Sequence, residues 1–129
     1  MKNFKEMKYL LLDLDGVCYG KHNNYSLEKL FGQVSQRMTM FISERLKIDM
    51  GEAKTFDLMV KKFGINPEET IYIEDIAKNL SIGYERGCTT VWLINDEHFG
   101  KMDADKDFIS HKIENLSLFL KEIRLLKSK

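Results

Sequence analysis

Long apolar runs are missing from this chain of 129 residues. None approaches the roughly 20 residues that a membrane-spanning helix needs. The opening Met1-Lys2-Asn3-Phe4-Lys5-Glu6 also lacks the apolar core of a signal peptide. The expectation is a cytoplasmic protein that makes no membrane contact. Cysteine is nearly absent, and Cys18 and Cys88 stand too far apart for a CxxC pair, so a disulfide framework or thiolate metal site is not indicated. One proline, Pro67, rules out a proline-rich linker. An excess of charge of one sign is lacking too, with 20 basic and 20 acidic side chains. Nucleic-acid binding would need a basic face, so none is expected. His22, His98 and His111 are scattered among polar neighbours and read as loop residues. Repeats and low-complexity segments are absent, and the length suits one domain over 1–129.

What is present begins with Leu10-Leu11-Leu12-Asp13-Leu14-Asp15-Gly16. A short apolar run closed by a turn residue reads as a buried parallel strand, covered on both faces. Two carboxylates where such a strand leaves the sheet are costly unless something compensates them. Farther on, Thr70-Ile71-Tyr72-Ile73 is a second such run, and it too ends in carboxylates, Glu74 and Asp75. A third, Thr89 to Ile94, ends at Asn95-Asp96, and Phe108-Ile109 reads as a short last strand.

Helical spacing fills the intervals. Leu27, Leu30, Phe31, Val34, Met38, Phe41, Ile42 and Leu46 predict one long helix, with Ser26 as its cap. Asp49 and Glu52 have capping-box spacing before a second helix carrying Ala53, Phe56, Met59, Val60 and Phe63, which Gly64 ends. Residues 79–85 read as a short helix stopped by Gly87, and 97–106 as a polar loop. Ile113, Leu116, Phe119, Leu120 and Ile123 predict a C-terminal helix that frays from Lys127 to Lys129. Trp92 reads as a core anchor.

Strands alternating with helices predict an α/β, three-layer Rossmann-like parallel sheet flanked by helices, small in strand number. Right-handed crossovers bring the tips bearing Asp13-Asp15 and Glu74-Asp75 to one edge of that sheet. Ligands of open α/β sheets bind at the carboxyl ends of the strands. Convergent carboxylates there suit a hard cation, and Mg2+ commonly completes its shell with waters and a substrate phosphate.

These residues resemble a known superfamily. Leu12-Asp13-Leu14-Asp15-Gly16-Val17 resembles the first motif of the haloacid dehalogenase-like (HAD) hydrolases, and Thr70 to Asp75, followed by Asn79 and Gly87, resembles their fourth. The pattern is most similar to pyrimidine 5′-nucleotidase-like members, shortened. The resemblance implies a Mg2+-dependent phosphatase or nucleotidase acting on a small phosphorylated substrate through an aspartyl-phosphate. It implies Asp13 as nucleophile and Asp15 as general acid and base. Asp75 would bind the metal together with the Asp13 carboxylate and the Asp15 main-chain carbonyl. Asn79 would support that site, with Glu74 reaching the metal through water.

Two family features are not evident in the sequence. No strand ending in Ser or Thr shows between Ser26 and Gly64, and Lys54 is out of register with Phe56 for the family's lysine. The cap and two middle strands look absent. The first strand is then expected at a sheet edge, covered by residues 26–48 or paired in a homodimer. The alternative is a catalytically impaired remnant that binds magnesium or a phosphorylated ligand, or that serves as an interaction module.

Overall fold

The structure is a computed structural model that describes residues 4–13, 39–42 and 52–128. Among the described residues, five parallel strands form one sheet: β1 (Tyr9–Leu12), β2 (Thr39–Ile42), β3 (Thr70–Glu74), β4 (Thr89–Leu93) and β5 (His111–Ile113), in the order β2-β1-β3-β4-β5. Among the described residues the helices are α1 (Ala53–Phe63), α2 (Ser81–Glu85), α3 (His98–Lys101) and α4 (Leu116–Lys127). Short 3-10 turns lie at Phe4–Glu6, Pro67–Glu69 and Ala77–Leu80.

The expected α/β architecture holds, with the apolar runs of β1, β3 and β4 covered on both faces. On one face Leu10, Leu12, Ile71, Ile73, Val91 and Leu93 pack against Leu116, Leu120 and Ile123 of α4. On the other, Leu11, Tyr72 and Trp92 pack with Phe56 and Met59 of α1 and with Leu80 and Cys88. Each fully buried side chain of this size contributes about 1.5–3 kcal/mol, so alternate residues of a single strand hold both helical layers. Gly64 ends α1 as expected: its φ of 64° is left-handed, and its N–H donates to Val60 O. Gly83 of α2 lies against the Tyr72 ring, where a Cβ would fall 2.6 Å from Tyr72 Cδ2.

The largest correction concerns residues 39–42. The sequence pattern assigned them to a long helix, but they form β2, parallel to β1 with Leu12 opposite Ile42. Met38, Met40, Phe41 and Ile42 are an almost unbroken apolar run in the sequence, a pattern that strands of parallel sheets commonly carry. A helical template also accepts such a run, because it contains the i, i+3 and i+4 positions. The rest of the expected helix, including its Ser26 cap, lies outside the described residues. So does Asp49 of the expected capping box. Glu52 occupies the N-cap of α1 without a side-chain hydrogen bond there.

The position of β1 changes accordingly. It pairs with β2 on one side and with β3 on the other, so it is not an edge strand. The ground for a homodimer through a free β1 edge is gone. Three smaller corrections lie toward the C-terminus. The last strand is His111–Ile113, not Phe108-Ile109, so His111 is a strand residue. The polar segment after Asp96 contains α3. Lys127 does not fray; its Nζ donates to the main-chain oxygens of Lys5 and Met7. No helix among the described residues is long and apolar enough to cross a membrane.

Candidate metal centre

Register brings the acidic residues together. Leu12 of β1 lies opposite Ile73 of β3, so Asp13 and Glu74, the next residue on each strand, sit at one level of the sheet. The Asp13 N–H donates to Ile73 O at 3.1 Å and holds the two strand ends side by side. Asp13, Glu74 and Asp75 each offer a carboxylate oxygen, and these oxygens lie within 4.8 Å of one another. Asp15 lies outside the described residues.

Glu74 is 3% exposed and Asp75 9%, deep for carboxylates in such numbers. The chain meets part of the cost with donors. Glu74 Oε1 accepts from the N–H groups of Asp75 and Ile76 at 3.1 and 3.3 Å, and Oε2 accepts from the Tyr72 hydroxyl at 3.4 Å. Burial first, and then the negative charge of Asp13, still push the Glu74 carboxyl well above the usual range. The Tyr72 phenol is pushed up as well, chiefly by burial and then by Glu74. Both shifts show a pocket that resists net negative charge, which a cation would relieve.

The donor set fits a hard divalent ion. All three groups are carboxylates, the ligand type that Mg2+ and similar ions favour, with no thiolate or imidazole among them. Glu74, expected to act through water, is itself a member of the cluster. The Asn79 N–H donates to Ile76 O within the 3-10 turn. The amide side chain that meets Asp75 is that of Asn95, whose Nδ2 donates to Asp75 Oδ2 at 3.3 Å. Trp92, buried as expected, donates from Nε1 to Asp75 O at 2.8 Å.

Asn95 was overlooked at the sequence level; its place just beyond the third apolar run was the available signal. Ser43 follows Ile42, the last residue of β2, in the sequence and lies outside the described residues; β2 itself neighbours β1 and ends level with it.

No protein-family model matches the chain, and no curated protein does. Solved structures do. The cobalt-bound form of the deoxy-D-mannose-octulosonate 8-phosphate phosphatase from Haemophilus influenzae aligns with a TM-score of 0.55 at 12% identity. That alignment covers 98% of this chain and 92% of the other. An uncharacterized protein from Corynebacterium glutamicum aligns with a TM-score of 0.50 at 12% identity, over 76% of this chain and 93% of that one. The first match runs nearly end to end on both chains. The chain has the HAD-like α/β fold.

Proposed function

We propose that the protein is a Mg2+-dependent hydrolase of small phosphomonoesters that works through an aspartyl-phosphate on Asp13. One observation carries the reading: Asp13, Glu74 and Asp75 converge within 4.8 Å at the carboxyl ends of β1 and β3 in a HAD-like sheet. That edge is where open α/β sheets bind ligands. Asp13, Asp75 and Glu74 would hold the ion, which when bound offsets the repulsion between a carboxylate nucleophile and an anionic phosphate.

The chain's own groups do the rest. Asp13 is fixed at the tip of β1 by its N–H to Ile73 O, and its carboxylate oxygen attacks phosphorus. The bond from phosphorus to the ester oxygen breaks, and Asp15 supplies the proton that the leaving alkoxide needs. Water then attacks the phosphoryl group on Asp13, giving its proton back to Asp15 and releasing inorganic phosphate. This two-step route suits a carboxylate nucleophile with an adjacent acid and base. Ser43, the residue that follows β2 in the sequence, is the candidate to supply a hydroxyl for a phosphoryl oxygen. Nucleoside monophosphates are the first substrate class to try, on the resemblance to nucleotidases.

The test is Mg2+-dependent phosphate release from a panel of nucleoside monophosphates and sugar phosphates. Release is expected from the wild type and not from Asp13→Asn, which keeps the shape and loses the nucleophile. Release that survives in Asp13→Asn, or no release from either protein, would overturn the catalytic reading. The second of these outcomes would favour a ligand-binding role for the same fold.

A further inference from the structure

We infer that Asn95 is the positioning residue for Asp75 and that Gly100 is the space that lets it act; this rests on the metal-binding reading of the carboxylate cluster. The Asn95 amide is held at both ends. Its Oδ1 accepts from the Glu97 N–H at 3.0 Å. An amide oxygen accepts and an amide nitrogen donates, so that bond fixes the orientation and turns Nδ2 toward Asp75. Nδ2 then donates to Asp75 Oδ2 at 3.3 Å.

Gly100 of α3 closes over the same side chain. A Cβ on Gly100 would fall 2.5 Å from Asn95 Nδ2, 2.6 Å from its Cγ and 2.8 Å from its Cβ. Those contacts run from the Cβ of the side chain to its terminal amide, so an added methyl would force a shift. Only glycine leaves the amide where it is. The main chain of Asp75 is fixed independently, by Trp92 Nε1 on its carbonyl and by Glu74 Oε1 on its N–H. With the backbone pinned, the Asn95 bond selects the carboxylate rotamer. It engages Oδ2 and leaves the other oxygen to a cation. Groups that orient a ligand in this way commonly alter metal affinity by about 10–100-fold.

The experiment measures Mn2+ affinity by the electron paramagnetic resonance signal of the free ion, alongside melting temperature, in the wild type, Asn95→Ser and Gly100→Ala. A serine hydroxyl can still accept from the Glu97 N–H two residues on, but it is too short to reach Asp75. Asn95→Ser therefore separates the turn that leads into α3 from orientation of Asp75. The expected result is about 10-fold weaker Mn2+ binding in Asn95→Ser, with a melting temperature near that of the wild type. A comparable loss is expected in Gly100→Ala. Affinities within twofold of the wild type in Asn95→Ser would overturn the inference while leaving the metal site standing. A wild type that binds no Mn2+ would overturn both. Should Gly100→Ala fail to fold, Asn95→Ser decides alone.

Discussion

His111 shows how one side chain can be legible in type and hidden in role. Its polar neighbours in sequence suggested a loop. In the fold it sits on β5, its ring tilted against Phe4 at 4.8 Å between centroids, and its Nε2 is buried with no hydrogen-bond partner among the described residues. Burial lowers its pKa from the ordinary 6.5. The folded protein thus prefers neutral imidazole, and the sign of the linkage follows. The stability that comes from this preference is fully present above pH 6.5 and declines below it, as the unfolded chain takes up a proton that the folded one resists. His111→Phe should remove that part of the acid slope at no cost in hydrogen bonds. The check is urea unfolding of both proteins from pH 8 to pH 5. Parallel pH profiles would contradict the assignment. Asp13, Glu74 and Asp75 were legible for the opposite reason. A carboxylate closing an apolar strand has few meanings, and two such strands in parallel register have fewer.

At the scale of elements, the sequence spoke clearly wherever an apolar run stood between turn residues, as in β1, β3 and β4. It was ambiguous at β2. A short apolar run satisfies both the strand and the helix pattern, and what separates them is a neighbour to pair with, which sequence order does not display. The error then spread: without β2, β1 became an edge. At the other end of the chain, α4 was expected from its spacing, but its last residue was misjudged because the carbonyls it serves lie about 120 residues earlier. Lys127 joins the end of α4 to the Phe4–Glu6 turn and to Met7, which is 1% exposed. Lys127→Met should preserve the packing of the stem and leave the Met7 carbonyl unsatisfied. Losing hydrogen bonds from a charged donor costs about 1–3 kcal/mol. Equilibrium denaturation would measure it, and a variant as stable as the wild type would show that Lys127 holds nothing.

For the whole molecule, the carboxylate cluster is a liability to the fold, and under the proposed function it is also the site. Burying carboxylates side by side opposes folding, and the hydrogen bonds to Glu74 and Asp75 offset only part of that. Under the proposed function the same crowding is what a divalent ion would bind to, so stability and metal binding should trade against each other at Asp75. Asp75→Asn keeps the shape, and its amide oxygen can still accept from Asn95, while one negative charge leaves the cluster. For unit charges at this spacing the relief is on the order of 1–3 kcal/mol, so with chelator present the variant should unfold later than the wild type. Metal should reverse the ranking. A ligand that binds only the folded state stabilises it by about 2.7 kcal/mol at a hundred times its Kd, and that gain should appear in the wild type and vanish in Asp75→Asn. Thermal unfolding of both proteins, with chelator and then with millimolar Mg2+, measures all four values. If Asp75→Asn is the less stable protein under chelator, the carboxylate is holding the strand tips together, and the cluster is a structural device whose acidity is incidental. If instead the two curves cross on adding Mg2+, the tip of the sheet is held at a cost in stability for the sake of the ion.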